Sequence, residues 1–265
     1  MTAISVLMNT YNRGYLLRFA MLSYLRQTEG DFELVVADDG SSDDTAELGE
    51  AFKKEAPFDV TFVTHENKGH RRAAIINKGI HACKHDWILM TDCDSLAMPD
   101  LIATHRENID ESRMLCGGYV RLTQDETDPL TDDFVRSGEY EGLIGLGRKI
   151  HIWRKHMRAS WQIVSKKPRR PHNMGLNYSV SKAAMFKING YNEQFEGWGS
   201  ADGDVRERLR RVGTDPYSLY GSAIVLHMWH PTETTKTKEG KKRNRAIAQT
   251  EAPAFCVRGL VQDDA

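Results

Sequence analysis

The first half of the chain alternates short apolar runs with longer amphipathic ones. Ile4 to Met8 predicts a buried strand, and Leu34-Val35-Val36-Ala37, Val60 to Thr64 and Trp87 to Thr91 predict three more. Between them, Leu17, Met21, Tyr24 and Leu25 share one face of a helix predicted over Leu16 to Gln27. A second helix is expected from a cap at Ser41 or Ser42 to about Lys54, and a third from Arg71 to Cys83. Pro99 sits where a first-turn helix proline belongs. Strands and helices alternating over short connections predict an α/β fold: a mostly parallel sheet with helices on both faces. In such sheets ligands bind beyond the carboxyl ends of the strands. The polar clusters fall there: Thr10 to Arg13, Asp38 to Asp44, and Asp92 to Asp94.

The second half is less regular. Acidic loops after residue 123 give way to Trp153, Trp161 and the basic run Lys166-Lys167-Pro168-Arg169-Arg170. Patterning returns from Asn173 to Pro231, with a helix expected over Val205 to Arg211 and a strand over Ala223 to Leu226. From Thr232 to Arg245 the chain is polar and basic. No internal repeat is visible. Residues 1–231 read as one domain, divided near 121 into two halves, with 232–265 as a basic tail.

Composition narrows the class. With 265 residues, 40% hydrophobic and 28% charged, the chain is neither disordered nor fibrous and can bury a deep core. A net charge of -1 removes the global basic field expected of a nucleic-acid binder. No apolar stretch reaches the roughly 18 residues of a membrane span. The opening Met1-Thr2-Ala3-Ile4 lacks the basic start and apolar run of a signal peptide. Cys83, Cys93, Cys116 and Cys256 form no CxxC pair, so reduced thiols and a cytoplasmic location are expected.

Three clusters carry chemistry. Asp92-Cys93-Asp94 places two carboxylates at a strand end, where a turn can bring both to one site; hard divalent cations take such oxygens and keep phosphate oxygens as further ligands. A solvated turn is the plainer reading. Asp38-Asp39-Gly40-Ser41 reads as a turn and helix cap or as a carboxylate able to accept an imide N–H. His227-Met228-Trp229-His230 puts two imidazoles after an apolar strand; both reach one metal if the segment turns, and otherwise one is a core and one a loop histidine.

Taken in order, these segments resemble a known family. Val6 to Arg13, Val36 to Thr45, Asn67 to Asn77 and Asp92-Cys93-Asp94 resemble the nucleotide-binding half of family 2 glycosyltransferases with the GT-A, Rossmann-like fold. Asn177 to Ser181, Asn189 to Glu193 and Gly197 to Asp204 are similar to the acceptor-side segment of β-1,4-galactosyltransferases and chondroitin-type polymerases. The resemblance implies that Thr10 and Arg13 line the nucleotide pocket and that Asp39 accepts from uracil. It places Arg71, or Arg72 instead, near the base or diphosphate, and Asp92 at the ribose or sugar. It implies Mn2+ or Mg2+ on Asp94, with His227, His230 or both, and Asp202 as catalytic base. Asn177, Trp198 and Gly199 fall on the acceptor side. The basic tail from Lys236 to Arg245 reads by default as a solvated surface, and its charge also suits the loop that closes over the diphosphate in GT-A enzymes. Where related enzymes carry Glu-Asp, this chain has Ala201-Asp202, so the base is kept and an acceptor-holding acid is lost.

The implied activity is metal-dependent, inverting transfer of a hexose or N-acetylhexosamine from a UDP-sugar to a glycan or other hydroxyl acceptor. A silent sugar-binding module is the rival that Ala201 motivates. A nucleotide-sugar nucleotidyltransferase would need a glycine- and lysine-rich loop after the first strand, and Asn12-Arg13-Gly14 is too meagre. The basic runs with Trp153 and Trp161 leave a nucleic-acid patch as a further alternative.

Overall fold

The computed structural model describes residues 2–167, 170–171, 175–195, 197, 199–231, 237–249 and 253–261. In chain order the elements are β1 (Ile4–Thr10), α1 (Gly14–Tyr24), β2 (Phe32–Asp38), α2 (Thr45–Glu55), β3 (Val60–Thr64), α3 (Arg72–Ala82), β4 (Trp87–Asp92) and β5 (Ser95–Ala97). Then come α4 (Leu101–Glu107), β6 (Arg113–Arg121), α5 (Gln124–Thr127), α6 (Asp132–Ser137) and α7 (Leu146–Val164). The last are β7 (Asn177–Ser181), α8 (Lys182–Lys187), α9 (Ala201–Arg211), β8 (Asp215–His227) and α10 (Lys238–Gln249).

The strands form one eight-stranded sheet in the order β3-β2-β1-β4-β7-β6-β8-β5. β3, β2, β1 and β4 run parallel, as do β6 and β8; β7 is antiparallel to both neighbours and β5 antiparallel to β8. Period-two alternation on β1 builds the two faces. Ile4, Val6 and Met8 pack with Leu16, Leu17, Ala20 and Met21 of α1, while Leu7 points the other way, to Ile75, Ile76 and Ile80 of α3. Each large side chain so buried contributes about 1.5–3 kcal/mol.

Local corrections have physical causes. Ser41 does not cap α2, which begins at Thr45: its hydroxyl bonds the Asp38 carboxylate and accepts the Asn12 N–H. Pro99 precedes α4 and its cap Asp100 rather than lying in the first turn. α9 begins at Ala201, so Asp202 and Asp204 lie inside its first turn, where the helix dipole favours acids. The irregular stretch after residue 123 contains α7, a helix of 19 residues. The described part of the tail is ordered onto the domain: Asn244 of α10 is buried and donates to the Gly199 carbonyl (3.1 Å). Leu260 joins the α3-side core, and Asn189 donates to the Cys256 and Val261 carbonyls.

Candidate active site

β1, β2 and β4 all end at one rim of the sheet, and their register decides what meets there. Asn9 pairs with Asp92 and Thr10 with Asp38. Thr10 is buried, and its carbonyl accepts the Asp39 N–H (3.0 Å), so it shapes the wall through its backbone. Asp38 is consumed internally by the Ser41 N–H and the Thr64 hydroxyl. Asp39 is buried too. One oxygen accepts from His65 Nε2 (2.6 Å) and the other from the Arg71 N–H (2.9 Å). A carboxylate offers about four lone-pair sites, so capacity for an imide N–H remains. Gly40 makes this turn possible: φ is +79°, and a Cβ would lie 2.8 Å from the Asn67 nitrogen and from the His65 carbonyl.

The arginines separate. Arg71 turns its guanidinium back to the Glu66 carbonyl, whereas Arg72 enters the centre of the rim. Arg72 Nε donates to Asn9 Oδ1 (2.6 Å), and its two terminal nitrogens reach Asp202 Oδ1 and Asp92 Oδ1, each at 3.2 Å. Asn9 also donates to Asp92 Oδ1 (2.6 Å). Tyr178 O–H donates to Tyr191 (2.8 Å), whose hydroxyl donates to Asp202 Oδ1 (2.9 Å). Burial and the neighbouring carboxylates of Asp94 and Asp202 raise Asp92 above the usual carboxylate range, against the pull of Arg72. Burial opposes the charge on Arg72, but Asp202 and Asp92 outweigh it and hold Arg72 still more firmly protonated. The side chains of Arg72, Asp92 and Asp202 are each about a quarter exposed, so the cluster is open to a ligand. Asn9, Arg72 and Tyr191 carried no assigned role in the sequence beyond Arg72 as the alternative to Arg71.

Asp94 anchors the other cluster. Its carbonyl accepts the Met228 N–H (2.8 Å), and Ser95 pairs with His227, so the β5–β8 pairing delivers both histidines. His227 Nε2 lies 3.6 Å from Asp94 Oδ1 and His230 Nε2 3.3 Å from Oδ2. Ligand atoms of the three residues all fall within 4.8 Å of one another. His230 Nδ1 faces the Pro231 carbonyl (2.8 Å), which fixes that nitrogen as the donor and leaves Nε2 for a proton or a cation. Arg13 also pairs with Asp94 Oδ2 (2.7 Å). Burial works to raise the Asp94 carboxyl, but His230, His227 and Arg13 prevail and lower it. The same contact raises His230. One carboxylate and two imidazoles suit a divalent cation such as Mn2+.

Two acceptor-side residues have their hydrogen bonds within the scaffold. Asn177 is locked into the sheet: its amide donates to the Gly118 (2.8 Å) and Ala223 (3.0 Å) carbonyls across the β6–β8 irregularity, and its oxygen accepts from His105 Nε2 (3.1 Å). A Cβ on Gly117 would lie 2.3 Å from the Asn177 amide nitrogen. Gly199 meets α10 through Asn244, as described above. Trp198 and Lys236 lie outside the described residues.

The model of the family described as "Glycosyl transferase family 2" matches residues 5–166, more than half of the chain. The chain belongs to glycosyl transferase family 2. A second model, the N-terminal domain of galactosyltransferase, matches residues 155–231. Similar proteins include the chondroitin synthase of Escherichia coli, 25% identical over 95% of this chain and 39% of the relative. The hyaluronan synthase of Pasteurella multocida is 23% identical over 91% and 26%. The validoxylamine A glucosyltransferase of Streptomyces hygroscopicus subsp. jinggangensis is 29% identical over 79% and 52%. The chain thus spans roughly a quarter to a half of these relatives' lengths. Among solved structures, mannosyltransferase PcManGT from Pyrobaculum calidifontis, in complex with GDP-Man and Mn2+, superposes with TM-score 0.62 at 15% identity, covering 94% of this chain and 65% of that one. S. aureus TarS in complex with UDP-GlcNAc gives 0.60 at 13%, covering 89% and 61%. The fold is GT-A, the fold expected from the sequence motifs.

Proposed function

We propose that this glycosyltransferase chain moves a hexose or N-acetylhexosamine from a UDP-sugar to an acceptor hydroxyl, with inversion and with a divalent cation, Mn2+ or Mg2+. The observation that carries the reading is the meeting of two groups at one rim: the Asp94, His227 and His230 triad, and Asp202 held by Arg72 and Tyr191. Asp94, His227 and His230 would hold the cation, which when bound neutralises charge developing on the diphosphate leaving group. Arg13, beside Asp94, offers a guanidinium to the same diphosphate. Thr10 and Asp39 form the wall for the base, where Asp39 accepts the uracil imide N–H. Arg71 supports that wall through its backbone N–H, and Arg72 takes the role at the donor, orienting Asp92 toward the ribose or sugar.

Asp202 accepts the proton of the acceptor hydroxyl as that oxygen attacks the anomeric carbon. The nucleotide leaves from the opposite face, and a single displacement inverts the centre. PcManGT and TarS bind a nucleotide sugar in their structures, and PcManGT binds Mn2+ as well, which supports the same use of the shared fold. Ala201 supplies no acid beside the base, so acceptor binding falls to other groups. The deciding experiment screens UDP-sugars for UDP release with and without candidate acceptors, in Mn2+, Mg2+ and EDTA. Release that needs metal and selects one sugar is expected. Undiminished release in EDTA removes the metal from the mechanism. Tight UDP-sugar binding with no release under any condition makes the chain a sugar-binding module instead.

A further inference from the structure

Helix α7 has two apolar faces, and the fold accounts for one. Ile152 and Ala159 are buried, His156 Nδ1 contacts Ser218 Oγ of β8 (3.1 Å), and Lys155 Nζ lies 4.4 Å from the centre of the Tyr119 ring of β6. On the opposite side Leu146, Ile150, Trp153, Met157, Trp161 and Val164 are 75%, 51%, 61%, 51%, 57% and 83% exposed. At 3.6 residues per turn these six fall within an arc of about 80° on a helix about 28 Å long. Scattered exposed apolar residues are ordinary; a stripe in register along a whole helix is not.

Charge says what covers it. Arg154 and Arg158 border the stripe on one side and Lys149 on the other, all exposed. Lys166 and Lys167 follow the helix, and Lys167 Nζ lies 4.2 Å from the centre of the Trp161 ring. From Leu146 to Lys167 the chain carries seven Lys and Arg and no Asp or Glu, in a protein of net charge -1. We propose that α7 docks the protein flat on an anionic membrane surface, its stripe seated at the boundary of headgroups and acyl chains. Tryptophans and aliphatic side chains on one face, flanked by lysine and arginine, are the pattern of an interfacial helix. A second copy of α7 would set two basic faces against each other. A nucleic acid would satisfy the basic flanks but not Leu146, Ile150, Met157 and Val164. α7 does not cross the bilayer: no described helix is long and apolar enough.

The test is co-sedimentation of the full chain with vesicles of phosphatidylcholine containing roughly one third phosphatidylglycerol, beside pure phosphatidylcholine. Binding to the anionic vesicles that weakens as salt rises is expected, and brominated lipid should quench tryptophan fluorescence. The pair Trp153→Ser with Trp161→Ser should lower that binding about tenfold or more and remove most of the quenching, and Arg154→Glu with Arg158→Glu should weaken binding similarly. Thermal melts should stay near wild type for both, because all four side chains are exposed. Absence of partition onto anionic vesicles overturns the proposal, as does equal binding by wild type and both variants. So do a dimer dispersed by the same variants without lipid binding, and preference for an oligonucleotide over the vesicles.

Discussion

At the scale of residues, Asp202 and Asp39 show how similar carboxylates receive different surroundings. Asp202 stands partly open to solvent with Arg72 and Tyr191 both on Oδ1. Asn at this position keeps an oxygen for Tyr191 but takes no proton. If Asp202 is the base, Asp202→Asn should lower transfer by about 10²–10⁴-fold, the usual worth of a general base. Donor affinity should stay near wild type, because the nucleotide wall proposed above lies on β1, β2 and α3. Transfer measured at saturating donor, with calorimetric UDP-sugar binding alongside, checks both parts; near-normal transfer moves the base elsewhere. Asp39 is the reverse case, buried and already holding His65 and the Arg71 N–H. Asp39→Asn retains one acceptor oxygen and replaces the other with a donor. UDP affinity should fall about tenfold or more, the worth of a hydrogen bond to a charged group. Unchanged calorimetric affinity removes Asp39 from the nucleotide site.

At the scale of elements, the first turn of α9 and one buried chain of hydrogen bonds show how packing gives neighbouring polar groups different partners. Asp202 and Asp204 lie two apart on α9, yet Asp204 Oδ2 pairs with Arg208 Nε (2.7 Å), and Arg208 is buried and also donates to the Ile188 carbonyl. Asp204→Asn strands part of that buried guanidinium. It should cost about 1–3 kcal/mol of stability, read in urea melts, and leave the transfer rate of the folded fraction nearly unchanged. The second case is α4 against β7. Trp87 Nε1 donates to Ser179 Oγ (2.8 Å), and His105 Nε2 must donate to Asn177 Oδ1, because that amide's nitrogen serves two carbonyls. His105 Nδ1 therefore accepts from Ser179 Oγ (2.8 Å), and the ring is held neutral. Burial, opposed by the Asn177 bond, lowers its pKa from 6.5 to about 4. The unfolded chain binds this proton first, so the contribution is complete above about pH 6.5 and is lost as pH falls toward 4. The total is about 3 kcal/mol. Urea melts between pH 7.5 and 4.5 should show that decline, and His105→Gln, which can still donate and accept, should flatten it. Asn177 looked like an acceptor contact because its segment matched; that the side chain serves the sheet depends on the β6–β8 irregularity, which no local pattern announces.

At the scale of the whole molecule, what was legible followed from position along strands. Asp92 and Asp94 closed a buried run and His227 ended another, so both strand ends could be read from hydrophobic patterning. The choice between Arg71 and Arg72 could not: consecutive residues at a helix start point about 100° apart, and only the rotation of α3 on the sheet selects one. Tyr191 sat within a matched segment, but its hydroxyl gains meaning only when α9 brings Asp202 to it. The apolar stripe of α7 stands in the sequence at helical spacing from Leu146 to Val164, but local pattern does not say which face of a helix the fold leaves uncovered. The site itself joins distant chain: Asp94 follows β4, while His227 and His230 arrive more than a hundred residues later through β8. The unfolded chain cannot hold those three groups together, so a cation that binds them adds stability to the native state alone. At a metal concentration one hundred times Kd the gain is about 2.7 kcal/mol. For a protein of this size that corresponds to a rise in Tm of about 5–10 °C. Mn2+ titrated into EDTA-treated protein should produce the shift without any donor present. Asp94→Asn, His227→Ala and His230→Ala should each reduce it, and Asp202→Asn should leave it intact. If His227→Ala retains the full shift and His230→Ala abolishes it, His230 alone completes the site with Asp94; the converse assigns His227. A melt that ignores Mn2+ in the wild type would show that the triad holds its protons and Arg13 in preference to a cation.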